Sequence, residues 1–279
     1  MTDRTVRLVT EPTVLVLGEM NVDPAGLDGL VQWVKDYRPE CLPNDEGEPC
    51  WDQLFPHDRT DGNGRPLSGN ELLVEISGRE CYHSYGLKAG RKSNKDYIAH
   101  SQSGTVPHRS IMYHAKMTFF VAGISRRVSH ELIRHYVGAD RSEEGSPSQE
   151  STRYTHHPGH FVVPPRMLEN PDEVKLFRIA MDQAYRSYHA YISQEVEAFT
   201  VRTGKSPVGM DRKRIYEAAA GLLPMQATTS MVWTTNPVAL AKLFLERTDE
   251  SADAEFRRLA LLWQKLACAR WPNLFHQPG

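Results

Sequence analysis

Residues 134–154 read RHYVGADRSEEGSPSQESTRY, from Arg134-His135 to Ser151-Thr152-Arg153-Tyr154. A cation and an imidazole open the stretch, two hydroxyls and an arginine close it, and a polar connection with Gly, Pro and Ser lies between. A guanidinium fork beside hydroxyl donors suits a phosphate-bearing ligand. The residues leading into the stretch decide the fold. Along 109–125, Ile111, Tyr113, Ala115, Met117, Phe119 and Val121 alternate with Met112, His114, Lys116, Thr118 and Phe120. A period of two predicts a strand. That strand feeds a predicted helix over 125–137, where Glu131, Arg134 and His135, spaced i, i+3 and i+4, share one face.

Working outward, residues 13–20 (TVLVLGEM), 71–77 (ELLVEIS) and the Pro-terminated 161–165 also read as strands. Helical spacing predicts helices over 25–37, 93–104, 171–203 and 211–223. Asn236-Pro237 supplies an N-cap and a first-turn proline for a helix reaching Arg247, and Ser251 is the expected cap of a last helix. Residues 38–69, rich in Pro, Asp, Gly and Asn, read as a surface insertion. The sum is an α+β (mixed α/β) fold in one domain over 1–279, a sheet with long helices and a helical C-terminal half.

Composition narrows the function. A net charge of −2 gives no whole-molecule attraction to nucleic acid. No segment approaches a membrane span, and nothing at the N-terminus resembles a signal peptide, so a cytoplasmic location with reduced thiols is expected. Cys41, Cys50, Cys81 and Cys268 form no CxxC pair. The chain has neither GxGxxG nor a P-loop. His156, His157 and His160 could suggest a metal centre, but their turn-like setting favours a solvated loop and no metal is expected. Tyr185, Tyr188 and Tyr191 read as helix packing.

The central stretch resembles the signature of the flavin-dependent thymidylate synthase family, an Arg-His-Arg on a helix followed by a loop ending Ser-x-Arg-Tyr. His108-Arg109-Ser110 through His114 resembles the family's His-x-Ser/Thr-Pro-x-x-His, and Gly78-Arg79-Glu80-Cys81 its early Ala-Arg-x-Ser. Leu223-Pro224 through Trp233 and Asn236, then Leu243 to Arg247 and Glu255-Phe256-Arg257, resemble its later segments. The likeness spans 71–275.

This resemblance implies a flavin-dependent methyltransferase and a flavin-dependent thymidylate synthase-like fold. In the family, FAD is reduced by NADPH, the methylene of 5,10-methylenetetrahydrofolate passes to C5 of dUMP, and reduced flavin supplies the hydride. It implies FAD contacts at His108, Ser110, Arg134, His135 and Arg247, with Arg134 and His135 between flavin and nucleotide. The nucleotide would be lined by Glu131, Arg134, Gln149, Glu150, Ser151, Thr152 and Arg153, with Arg153 on the phosphate. Arg257 would sit at the pyrimidine, where a fixed cation favours charge developing on the ring. Arg257, Arg134 and His135 are thus the expected catalytic set, and a homotetramer with active sites between subunits is the expected assembly.

Four departures bear on substrate. Tyr136 and Ser230 stand where the family carries arginine, Glu131 replaces a glutamine, and the connection between 138 and 148 is longer. The family includes uridylate C5-methylases of nucleoside-antibiotic biosynthesis, which accept UMP, and a remodelled nucleotide loop leans toward that branch over a strict dUMP enzyme. A non-catalytic nucleotide-binding descendant and a metal-dependent hydrolase centred on the histidines are the readings from other classes.

Overall fold

The structure, a computed structural model, describes residues 6–42, 51–55, 59–60, 64–90, 93–103, 107–135 and 146–275. Its N-terminal part holds β1 (Arg7–Val9), β2 (Thr13–Glu19), α1 (Pro24–Tyr37), α2 (Gly69–Tyr82) and α3 (Asn94–Gln102). Then come β3 (Met117–Ser125), α4 (Arg126–Arg134), β4 (Ser146–Gln149) and β5 (His160–Val162). The C-terminal part adds α5 (Pro171–Thr203), α6 (Gly209–Ala219), β6 (Thr228–Thr235), α7 (Pro237–Arg247) and α8 (Ala254–Arg270). The central sheet is antiparallel in the order β2-β3-β6-β4, and β1 pairs in parallel with β5. The expected mixed α/β class holds.

Register explains the layering. Val16, Phe119, Trp233 and Pro147 form one cross-strand row, while Leu15, Phe120, Val232 and Ser148 form the next. Phe119 and Trp233 are buried, and Trp263 of α8 meets Phe119 edge-on at 5.0 Å between ring centroids. The neighbouring row points the opposite way, as the pleat requires, and Leu15 is exposed. A second core joins β1 and β5 to the first half of α5 through Phe161, Phe177, Tyr185 and Tyr188. Among the described residues no helix is long and apolar enough to cross a membrane.

Several expectations are corrected. Residues 71–77 are not a strand but part of α2. Ser68 accepts from Glu71 N while Glu71 Oε2 accepts from Ser68 N, a capping box that starts a helix. The predicted 109–125 strand holds only from Met117. Arg109–His114 is a 3-10 helix in which adjacent Ile111 and Met112 are both buried, which a strand with one covered face does not do. Asp253, not Ser251, caps α8: its carboxylate accepts from Glu255 N and Phe256 N.

The described parts of 38–69 are more than a surface excursion. Cys41, Leu42, Leu54 and Phe55 close a small core against Val31, Val34 and Tyr85. The His156–His160 turn is not a solvated loop either. His157 is buried, its Nδ1 accepts from Gly159 N at 3.2 Å, and its N–H donates to the Tyr188 hydroxyl at 3.1 Å. Tyr185 and Tyr188 pack in the core as expected, with Tyr191 partly buried beside them.

Candidate functional site

The helix predicted to open the site begins where Ser125 accepts from Val128 N, and ends at His135, whose N–H donates back to Leu132 O and Ile133 O. α4 has three buried residues, Val128, Ser129 and Leu132, so Glu131, Arg134 and His135 are left at its polar edge. Tyr136, Arg141 and the lengthened connection up to residue 145 lie outside the described residues.

Glu131, His135 and Arg247 come together. Arg247 Nε donates to His135 Nε2 at 2.9 Å, and its Nη1 lies 3.4 Å from Glu131 Oε2. Its guanidinium sits 4.9 Å from the centroid of the Phe256 ring, close enough for cation–π attraction. On the far side of Glu131, Arg127 pairs with Asp253 and Glu255 and approaches Glu131 at 3.7 Å. Hydrogen bonding to Asp253 holds the Arg127 pKa above its ordinary value. Burial, reinforced by the adjacent Arg247 cation, pushes the His135 pKa down to about 4, so its ring is neutral near pH 7.

Arg257 joins this patch from α8, its Nε donating to Thr248 O at 2.9 Å just past the end of α7. The bond anchors the base of the guanidinium, whose charge acts on Asp249. Arg134 is exposed and, among the described residues, makes no ion pair.

The second half of the predicted signature forms another patch. β4 pairs with β6, and Glu150 N donates to Ser230 O, so the backbone of the position that lacks the family's arginine still holds the loop. Gln149 turns inward: Nε2 donates to Ser129 Oγ at 2.9 Å and to Thr229 Oγ1 at 3.1 Å, clamping the strand to α4. Arg126 donates to Glu150 O at 2.9 Å. Residues 151–155 make one tight turn, with Tyr154 N and Thr155 N both donating to Ser151 O. Thr152 is half-buried, and Arg153 reaches outward, 3.8 Å from Glu217 of α6. Lys213 caps the exposed Tyr154 ring at 5.6 Å.

His108 and Ser110 form a third patch, at the start of the Arg109–His114 3-10 helix. Gln102 Nε2 donates to His108 O, and His108 lies edge-on to Tyr82 at 5.9 Å with its Nε2 3.9 Å from Cys81 Sγ. Ser110 is exposed. A groove of about 390 Å³ beside it runs between α3 and α7, with Met112, Val238 and Leu245 along its walls and Arg109 and Lys242 at its polar edge.

The patches are connected through shared elements: Gln149 and Glu150 of the second are bonded to Ser129 and Arg126 of α4, which carries the first, and Lys242 at the edge of the third acts electrostatically on His135. Sequence reasoning missed Arg127 and Arg126, which fix Glu131 and Glu150; the Arg126-Arg127 pair at the helix start was the available signal.

The model of the family described as thymidylate synthase complementing protein matches residues 66–273. A flavin-dependent thymidylate synthase of Mycolicibacterium gilvum is 34% identical over 209 residues, 74% of this chain and 79% of the relative. That of Mycobacteroides abscessus is 34% identical over 218 residues, 77% and 80% of the two chains. Among solved structures, the UMP/dUMP methylase PolB of Streptomyces cacaoi bound with 5-Br UMP aligns with a TM-score of 0.55 at 16% identity, over 96% of this chain and 94% of that one. The fold is therefore shared with PolB. The matched residues take in the strand, helix and loop that carry the three patches, and the chain belongs to the flavin-dependent thymidylate synthase family, as an enzyme of that class.

Proposed function

We propose that this enzyme methylates C5 of a uridine monophosphate nucleotide, UMP or dUMP, with 5,10-methylenetetrahydrofolate as carbon donor. Its family uses FAD, with NADPH and methylenetetrahydrofolate as co-substrates. Bound FAD supplies the redox chemistry, and the chain supplies binding, orientation and electrostatics. The donor set of this chain fits that cofactor and a nucleotide: Arg134 and Arg153 are exposed and Arg257 is half-buried, with Ser110, Ser151 and Thr152 as hydroxyl donors.

The observation that carries the reading is the Glu131–Arg247–His135 cluster with Arg257 anchored beside it. Arg134, His135, Arg247, His108 and Ser110 are assigned to the flavin. Ser151, Thr152 and Arg153 hold the phosphate, and Arg257 stabilises negative charge on the pyrimidine. Gln149, expected to line the nucleotide, is assigned the task of positioning the loop, because its amide nitrogen is already committed to Ser129 and Thr229. Glu131 is assigned likewise to setting Arg247.

A homotetramer with active sites between copies is part of this reading, and the exposed Leu15 and Leu17 of β2 support an interface between copies. PolB, with the same fold, is described as a UMP/dUMP methylase, and this supports acceptance of the ribonucleotide. Turnover of UMP would put the chain in the nucleoside-antibiotic branch. The test is direct. The purified protein should be yellow, bleach with NADPH under anaerobic conditions, and methylate UMP as well as dUMP. Protein that cannot be loaded with FAD would overturn the function, and strict dUMP use would overturn the ribonucleotide assignment.

A further inference from the structure

The two nitrogens of His135 have unlike surroundings. Nε2 lies 2.9 Å from Arg247 Nε. A guanidinium has donors and no acceptor, and it keeps its charge in proteins. The Nε–H therefore points at Nε2, which must offer its lone pair. A neutral ring then carries its one proton on Nδ1. That nitrogen lies 3.8 Å from Glu246 Oε2, beyond direct hydrogen-bond range, so among the described residues Glu246 does not take its N–H. Arg247 and Phe256 fix the ring: its side chain is 8% exposed, and Phe256 meets it edge-on at 5.7 Å. Arg247 is itself fixed by Glu131 and by the Phe256 face.

We propose that Arg247 is a positioning residue that holds His135 as the neutral Nδ1–H tautomer, so that His135 serves the reaction as a fixed hydrogen-bond donor and not as a proton-transfer group. Its place between flavin and nucleotide rests on the function proposed above; the tautomer does not. Among the described residues, the charged groups facing the ring are Arg247, Lys242 and Glu246 from α7 and Arg134 from α4, while α8 presents the apolar Phe256. Three cations against one half-exposed carboxylate oppose a second proton, and burial acts in the same direction. With Nε2 occupied, the ring cannot take a proton from a substrate carbon there. Its Nδ1–H can donate to a ring carbonyl of a pyrimidine or a flavin.

Long-range proton–nitrogen correlation spectra of the purified chain, with histidine labelled by nitrogen-15 and His135 assigned by difference from His135→Gln, test the proposal with and without FAD. The expected result is a protonated Nδ1, an unprotonated Nε2, and no titration between about pH 8 and pH 5. In Arg247→Gln the His135 pKa should rise by about 1 pH unit and the tautomers should mix. Arg247→Lys, which keeps the charge, should leave the ring neutral. A proton on Nε2, a doubly protonated ring at neutral pH, or an unmoved pKa in Arg247→Gln overturns the inference. If the protein methylates its nucleotide while His135 titrates near its ordinary value, this inference alone fails. If Nδ1–H is found in protein that takes up no flavin, the tautomer stands and the functional reading fails.

Discussion

Arg257 combines a backbone anchor with the charge-stabilising role proposed for it. Its Nε is tied to Thr248 O, which gives the guanidinium a fixed origin. Arg257→Ala should lower kcat by about 100-fold or more, the scale for losing one preorganised electrostatic contact in a transition state, with circular dichroism unchanged. His135 and His157 make a separate prediction about stability. Burial presses both pKa values down from 6.5 to about 4. Between those limits the unfolded chain binds protons that the folded one refuses. Stability is therefore fully present above pH 6.5 and falls as pH drops toward 4, with a slope approaching about 1.4 kcal/mol per pH unit for each ring. Urea unfolding at pH 7 and pH 5 measures this slope together with the contributions of His156 and His160, whose pKa values burial also lowers, and His157→Gln should reduce it.

At the scale of elements, α2 is the informative case. Its buried face is polar: Glu75 and Arg79 are fully buried and pair at 2.6 Å. Arg79 Nη1 donates to Ser84 O and Ala89 O, and Asn94 Nδ2 donates to Glu75 Oε2 at 2.7 Å. Arg79→Met should destabilise the protein by about 3–5 kcal/mol in denaturant titrations, because it strands a buried carboxylate. The exposed Arg166–Glu169 pair is the contrast, and Arg166→Ala should cost no more than about 1 kcal/mol. The same polar face explains why the segment reads as a strand. Leu72, Leu73, Val74 and Ile76 form a short apolar run, while the residues that set the helical period are charged. The Ser68-x-x-Glu71 capping box was the legible counter-signal. Gly159 marks a second local constraint. It sits at φ +82°, and a Cβ there would meet Tyr185 Cε1 at 2.7 Å, so the histidine turn can close on α5 only with glycine.

Across the whole molecule, one face of the central sheet is covered by α8 and the other bears Leu15, Phe120 and Val232, with Leu15 and Leu17 more than half exposed. Apolar surface of this kind marks an interaction face. The proposed homotetramer should sediment at four times the mass of the 31.7 kDa chain. The double substitution Leu15→Asp and Leu17→Asp should shift the protein toward smaller species and lower activity together. A monomeric wild-type protein with full activity would sink both the assembly and a site built between copies.

The sequence by itself determined the long elements: β2, α1, α5 and α7 fall where apolar period, caps and prolines place them. It also determined the family resemblance, because each motif that carries it is short and contiguous, as at 134–154 and 108–114. Tertiary structure alone decided the rest. β6 has the alternation of a strand, with Thr229, Met231 and Trp233 buried on one face, yet five of its eight positions are Thr or Ser, and pairing with β3 and β4 settles it. Likewise, nothing local says that Gln149 faces inward to Ser129 and Thr229, or that Arg247 spends its Nε on His135. Hydrogen bonds between residues some 20 to 112 positions apart in sequence depend on how elements pack, and packing is a property of the folded whole.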